Sequence, residues 1–230
     1  MHLECRNIQF YYPGSAKPIL EDLSMVLEEP GLHGLFGPSG VGKTSLAKIL
    51  AGMYRPASGK IVAEGLQSAL YCHNLERLPG WSSVGRHLER VTPPDHAALK
   101  DDLIQRFGLT ACLQRRFGKL SLGQRNRVNL VRYLVQDLQL LIMDESLANV
   151  DEHTRGTILL TIKEAFPATC FLYISHNVVE VARFCNRIWV LRDPHKHPQA
   201  VGLRGLDARD STAAISQDLE RAMLEMMNAA

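Results

Sequence analysis

Apolar residues along this chain come in short runs, and their period changes from one segment to the next. Leu3 to Phe10 reads as a strand, Tyr11-Tyr12-Pro13-Gly14 as a turn, and Leu20 to Leu27 as a second strand closed by Glu28-Glu29-Pro30-Gly31. Leu32 to Phe36 is a continuous apolar run, the pattern of a buried strand. After a Gly-rich break, Ser45 to Ala51 places apolar residues at helical spacing. Pro56 to Gly59 predicts a turn; Lys60 to Ala63 and Ala69 to Cys72 predict short strands. Residues 76–119 are more polar, with helical periodicity in Val84 to Val91, Ala97 to Phe107 and Leu109 to Phe117, broken at Pro93-Pro94. A helix resumes over Gln124 to Leu134, and Leu138 to Met143 is a buried strand ending in two acids. Helix, strand, helix and strand then follow over Glu152 to Phe166, Thr169 to Ile174, Val178 to Phe184 and Arg187 to Leu191. Asp193 to Asp210 predicts loop with room for one edge strand. Ser211 suits the N-cap of a last helix, whose stripe is Ile215, Leu219, Ala222, Met223 and Met226. Strands alternating with helices predict an α/β fold with a mainly parallel sheet.

Composition narrows this little but excludes several classes. The chain has 230 residues, 46% of them apolar, enough for one large α/β domain or a core with a subdomain. A net charge of +2 gives no argument for nucleic acid, and none is expected. The five cysteines are odd in number, scattered and without a C-x-x-C pair, so neither zinc nor a disulfide framework is signalled. That suits a reducing cytosol. Met1 to Arg6 carries no apolar run, so no signal peptide is expected. No run approaches the roughly 18 residues of a membrane span, so any membrane role would be peripheral. His195-Lys196-His197 could bind metal, but a solvated loop is the simpler reading.

The chemistry begins at Gly37-Pro38-Ser39-Gly40-Val41-Gly42-Lys43-Thr44, which fits the phosphate loop G-x-x-x-x-G-K-[ST] between a strand and a helix. Its glycines let backbone N–H groups approach an anion, and the helix opening at Lys43 adds its positive dipole end. Lys43 supplies a point charge for the outer phosphates, the Thr44 hydroxyl is placed for Mg²⁺, and Ser45 follows on the same turn.

A phosphate loop alone fits many families. Leu120-Ser121-Leu122-Gly123-Gln124-Arg125, then Leu141 to Glu145, then Ser175-His176 narrow the choice. From about residue 3 to 192 the chain resembles the ATP-binding-cassette (ABC) ATPases, with the motifs in that family's order and spacing. The resemblance implies a P-loop NTPase of ABC type: a mainly parallel core sheet, N-terminal antiparallel strands and a helical subdomain. Residues 1–230 would form one ATPase domain. Its core would be about 1–75 and 120–192, its helical subdomain about 76–119, running into the signature helix, and its tail and last helix 193–230. Asp144, ending a strand, would orient the Mg²⁺ shell, and Glu145 would polarise the attacking water. His176 stands at the place of the switch histidine that reaches the γ-phosphate. Tyr12 resembles the aromatic that stacks on adenine; a core or surface tyrosine is the lesser alternative. Ser121, the Gly123 backbone and the Gln124 helix end would contact ATP bound on an opposite subunit, and Asp151 resembles the acid linking the two sites.

Three positions depart from the family pattern. Leu122 stands where the signature has its first Gly, and Ser146 where Pro follows the catalytic Glu. His73 falls where a glutamine normally touches Mg²⁺ and senses the membrane partner; Asn74, one residue on, is an alternative replacement. Leu78-Pro79-Gly80-Trp81 resembles the segment of sulfonate, taurine and nitrate importer ATPases that receives a membrane subunit, though Trp81 could instead pack inside the helical subdomain. The implied protein binds ATP and Mg²⁺ and works on the inner face of the cell membrane. Its partners would be a transmembrane permease subunit and an identical or second ABC ATPase. A solute-binding protein is a further candidate partner. The competing expectations are a soluble assembly or remodelling ATPase and a weakly hydrolysing regulator.

Overall fold

The computed structural model describes residues 1–74, 76–210 and 216–230. β1 (His2–Phe10) and β2 (Leu20–Leu27) form an antiparallel pair. In β1 the buried residues are Leu3 and Cys5, then Ile8 and Phe10; an irregularity between them, with Asn7 at φ 52°, takes up the change of phase. β3 (Gly31–Phe36) feeds the phosphate loop and α1 (Lys43–Leu50). β4 (Ser58–Glu64) returns to pair with β1. It starts inside the turn expected over 56–59, because Ser58 already pairs with Gln9.

β5 (Ala69–His73) leads into α2 (Val84–Val91), α3 (Ala97–Arg106) and α4 (Leu122–Leu134). The helix expected over Leu109 to Phe117 does not form; the segment holds only single 3-10 turns at Thr110–Cys112 and Phe117–Lys119. The reason is tertiary. The Val84 and Gly85 N–H groups donate to the carbonyls of Arg115 and Leu113, and Ser83 bridges to Arg116, which holds this backbone out of a helix. Leu109, Cys112 and Phe117 are buried nonetheless.

β6 (Leu140–Asp144), α5 (Glu152–Ala165), β7 (Cys170–Ile174), α6 (Val178–Phe184) and β8 (Arg187–Leu191) follow, then an edge strand β9 (Ala200–Arg204) and α7 (Gln217–Ala229). Ser216 caps α7 by accepting from the Leu219 N–H. The cap expected at Ser211, and Ile215 of the stripe, lie outside the described residues. α7 packs against α6 and buries Leu219, Ala222 and Met226.

One sheet has the order β2-β1-β4, and the other β5-β6-β7-β3-β8-β9. The second is parallel except for β9. β6 and β7 are buried along their whole length, as a two-sided parallel core requires. Leu140 and Ile142 of β6 join the cluster of α1 and the antiparallel sheet, while Leu141 and Met143 join the cluster of the other helices. The strand order brings the C-terminal ends of β3, β6 and β7 side by side, where an open α/β sheet carries its ligand site. All five cysteines are free and buried. Among the described residues, no helix is long and apolar enough to cross a membrane.

Candidate functional site

The phosphate loop begins at Gly37, where φ is 150° and a Cβ would stand 2.2 Å from the Leu191 carbonyl oxygen, so only glycine fits. The loop ends at Gly42, in the left-handed region, as the cap of α1. Lys43 Nζ donates to the carbonyls of Gly37 and Pro38, each at 2.7 Å. Burial holds the Lys43 ammonium below its ordinary value, opposed by the charges of Glu145 and Asp144. A cavity of about 380 Å³ is lined by Tyr12, Ile19, Ser39, Gly40, Gly42, Lys43, Thr44, Ser45, Asp144 and Glu145. Pro38 and Val41 line a neighbouring cavity that shares Ser39 and Gly40. The Tyr12 hydroxyl and Ser45 Oγ are hydrogen-bonded at 2.7 Å. Phe10 meets the Tyr12 ring edge-on and stacks on Tyr54, an aromatic support that the sequence did not flag.

Thr44 Oγ1 donates to Asp144 Oδ2 at 2.8 Å, and Asp144 is only 7% exposed. A hydroxyl and a carboxylate side by side are the hard oxygen donors Mg²⁺ takes, so the residues fit that cation. Tyr71 donates to the same Oδ2 at 2.7 Å. Nothing in the sequence marked Tyr71, since its role depends on how β5 and β6 pair. Glu145 follows in the left-handed region at φ 48°, a strained conformation for a non-glycine residue, with its N–H donated to Ile174 O. Glu145 Oε1 lies 3.7 Å from His176 Nδ1. Both residues border a second, smaller cavity of about 160 Å³ with Arg155, Tyr173 and Glu180. Glu180 is 4% exposed, pairs with Arg155 and accepts from the Tyr173 hydroxyl.

The signature segment is built separately. Ser121 caps α4 in a reciprocal box: its Oγ accepts from the Gln124 N–H, and Gln124 Oε1 accepts from the Ser121 N–H. At Gly123 a Cβ would stand 2.4 Å from the Asn149 carbonyl oxygen, so α4 and the loop before α5 touch backbone to backbone. Asp151 caps α5, accepting from the Thr154 N–H, which holds its carboxyl below the ordinary value. Asn74 Oδ1 accepts from both Asn126 Nδ2 (3.0 Å) and Asn149 Nδ2 (3.1 Å). The His73 ring stacks on Tyr71 at 5.3 Å, with Nδ1 3.9 Å from Glu76 Oε2. Glu76 in turn accepts from Asn129, Arg132 and Tyr133 of α4. Ser121, Gly123, Gln124, Asp151, His176 and His73 do not line the 380 Å³ cavity. Trp81 is 79% exposed and does not pack inside the helical segment.

The family model described as ABC transporter matches residues 20–148. The chain is 32% identical over 237 residues to the taurine import ATP-binding protein TauB of Pseudomonas syringae pv. tomato, covering 94% of this chain and 90% of that protein. It is 31% identical over 188 residues to the molybdenum import ATP-binding protein ModC of Rhizobium johnstonii, covering 72% of this chain and 52% of that protein. Among solved structures, a bacterial Atm1-family ABC exporter with ATP bound matches 99% of this chain and 41% of its own, with a TM-score of 0.78 and 23% identity. At that identity the likeness concerns the fold alone. The family match and the relative aligned over nine-tenths of both chains agree with the site just described: the chain belongs to the ABC transporter family, as one of its ATP-binding, ATP-hydrolysing subunits.

Proposed function

We propose that this subunit powers the import of a small solute through a separate transmembrane permease, from the inner face of the membrane. It would act as one ATPase domain over residues 1–230, paired with an identical or related subunit around two ATPs. The observation that carries this is the division of the site. Ser39, Gly40, Gly42, Lys43, Thr44, Asp144 and Glu145 share one cavity, whereas Ser121 and Asp151 sit apart from it as the caps of α4 and α5, with Gly123 in the first turn of α4. A second copy is then needed to bring a signature segment over each cavity.

Within one half, Tyr12 offers a ring at the cavity mouth for the base, fixed by its bond to Ser45. Lys43 and the loop N–H groups hold the phosphates. Thr44 and Asp144 would hold Mg²⁺, which supplies charge neutralisation between the outer phosphates when bound. Glu145 is the group that orients a water and takes its proton, and His176, with Nδ1 3.7 Å from Glu145 Oε1, would reach the γ-phosphate. Import is favoured by the taurine and molybdenum import roles named for the relatives. The exposed Trp81 offers a contact for the permease.

The test uses Glu145→Gln with ATP and Mg²⁺. Hydrolysis should fall by about 10² to 10⁴ while nucleotide is retained and two subunits associate, read by light scattering. A variant that hydrolyses normally removes Glu145 from the chemistry. One that stays monomeric with ATP bound removes the paired site. Purification from detergent extracts should bring a stoichiometric membrane subunit; its absence would refute the transport role.

A further inference from the structure

Two hydroxyl groups donate to one carboxylate oxygen of Asp144. One, Thr44, belongs to the phosphate-loop motif; the other, Tyr71, comes from the neighbouring strand. The register explains the meeting. β5 and β6 run parallel with Tyr71 opposite Ile142 and His73 opposite Asp144, so all four side chains share one face of the sheet. The Tyr71 and His73 rings lie 5.3 Å apart and 17° from parallel. An unbroken line of contacts therefore runs from the His73 ring through the Tyr71 ring and hydroxyl to Asp144. Its outer end meets Glu76, which α4 holds through Asn129, Arg132 and Tyr133.

We propose that Tyr71 is a positioning residue for the Mg²⁺-holding carboxylate, and that His73 acts on the site through the Tyr71 ring rather than as a metal ligand. The proposal rests on the reading of Thr44 and Asp144 as the Mg²⁺ pair. The terminal torsion of an aspartate is broad, so one donor leaves the carboxylate plane loosely set. A second donor from a rigid strand fixes it, and this one does not depend on Thr44. A phenol keeps its proton at neutral pH, so the Tyr71 hydroxyl is a donor to Asp144 there. Hydrogen bonds to metal-holding carboxylates carry a large share of metal affinity, about 10- to 100-fold when removed.

The experiment measures equilibrium binding of a fluorescent ATP analogue to the full chain at graded Mg²⁺, without reference to turnover. Tyr71→Phe keeps the ring and loses the hydroxyl. It should need about tenfold more Mg²⁺ for half of the Mg²⁺-dependent binding, with binding in chelator unchanged. His73→Phe keeps a stacking ring without nitrogens and should match the parent chain, whereas His73→Ala should shift in the direction of Tyr71→Phe. Mn²⁺ binding followed by electron paramagnetic resonance should rank the variants in the same order. An unshifted Tyr71→Phe overturns the positioning role. A His73→Phe as weak as His73→Ala shows that the ring nitrogens carry the effect and overturns the stacking route. If the parent chain binds nucleotide with no Mg²⁺ dependence at all, the Thr44–Asp144 reading itself falls, and this proposal with it.

Discussion

Gly123→Ala tests whether the signature helix and the loop before α5 are one packed unit. The new Cβ would stand 2.4 Å from the Asn149 carbonyl oxygen, against 3.4 Å for an ordinary contact, so one backbone must retreat by about 1 Å. Neither side yields easily. Ser121 and Gln124 lock the start of α4, and Asn149 is tied to Asn74 just before Asp151 caps α5. Overpacking of this kind costs about 1–3 kcal/mol. The helix-propensity gain of alanine over glycine, at most about 1 kcal/mol, offsets part of it. Urea denaturation should show a net loss of about 1–2 kcal/mol. Nucleotide affinity of the single chain should change little, because the phosphate-loop cavity contains none of these residues. ATP-driven association in a Glu145→Gln background should weaken by about tenfold or more, since the surfaces displaced are those proposed to meet the second subunit. Unchanged stability and association would refute the rigid contact. A parallel collapse of single-chain nucleotide binding would refute the division of the site.

Two further outcomes are expected. Tyr12→Phe removes the bond to Ser45 and should weaken ATP by about 1 kcal/mol, near fivefold, while Tyr12→Ala also removes stacking worth about 1–3 kcal/mol; equal affinity for all three chains would exclude Tyr12 from base contact. His33 is buried on β3 with Nε2 against the Glu29 carbonyl, and burial holds its imidazole below the ordinary 6.5. Below about pH 6.5 the unfolded chain takes up a proton that the folded chain still refuses, so stability is lost as pH falls, by up to about 1.4 kcal/mol per unit. Denaturation at pH 7.5 and pH 5.5 should show this slope flattened in His33→Gln, and equal slopes would acquit His33.

The order of strands and helices was legible because burial has a period. The apolar runs that became β6 and β7 carry no period, and their shortness is what marked them as buried strands. The phosphate loop was legible because its chemistry is local, with every group within eight residues. The segment from Leu109 to Phe117 was not. Its apolar spacing is helical, but its backbone hydrogen bonds go to Val84 and Gly85, about thirty positions away, and no local pattern records them. Tyr71 escaped notice for a related reason. A tyrosine in a strand reads as core until the register with Asp144 is known. Glu180 also went unmarked, because its burial against Arg155 and Tyr173 depends on how α6 meets α5 and β7.

The oxygen of Asn74 has a mechanical meaning. It receives amides from Asn126 on α4 and from Asn149 before α5, so three chain segments hinge on one atom. None of the three can slide by more than a fraction of an ångström without stretching a bond to another. Each bond contributes about 1 kcal/mol, so freeing the joint costs about 2 kcal/mol, a population ratio near 30. That is firm enough to define a resting geometry and weak enough for the binding energy of one nucleotide to undo. The joint is a detent rather than a weld: Asn126 and Asn149 can each be released for about 1 kcal/mol, and only the loss of both frees Asn74 from α4 and from the loop before α5.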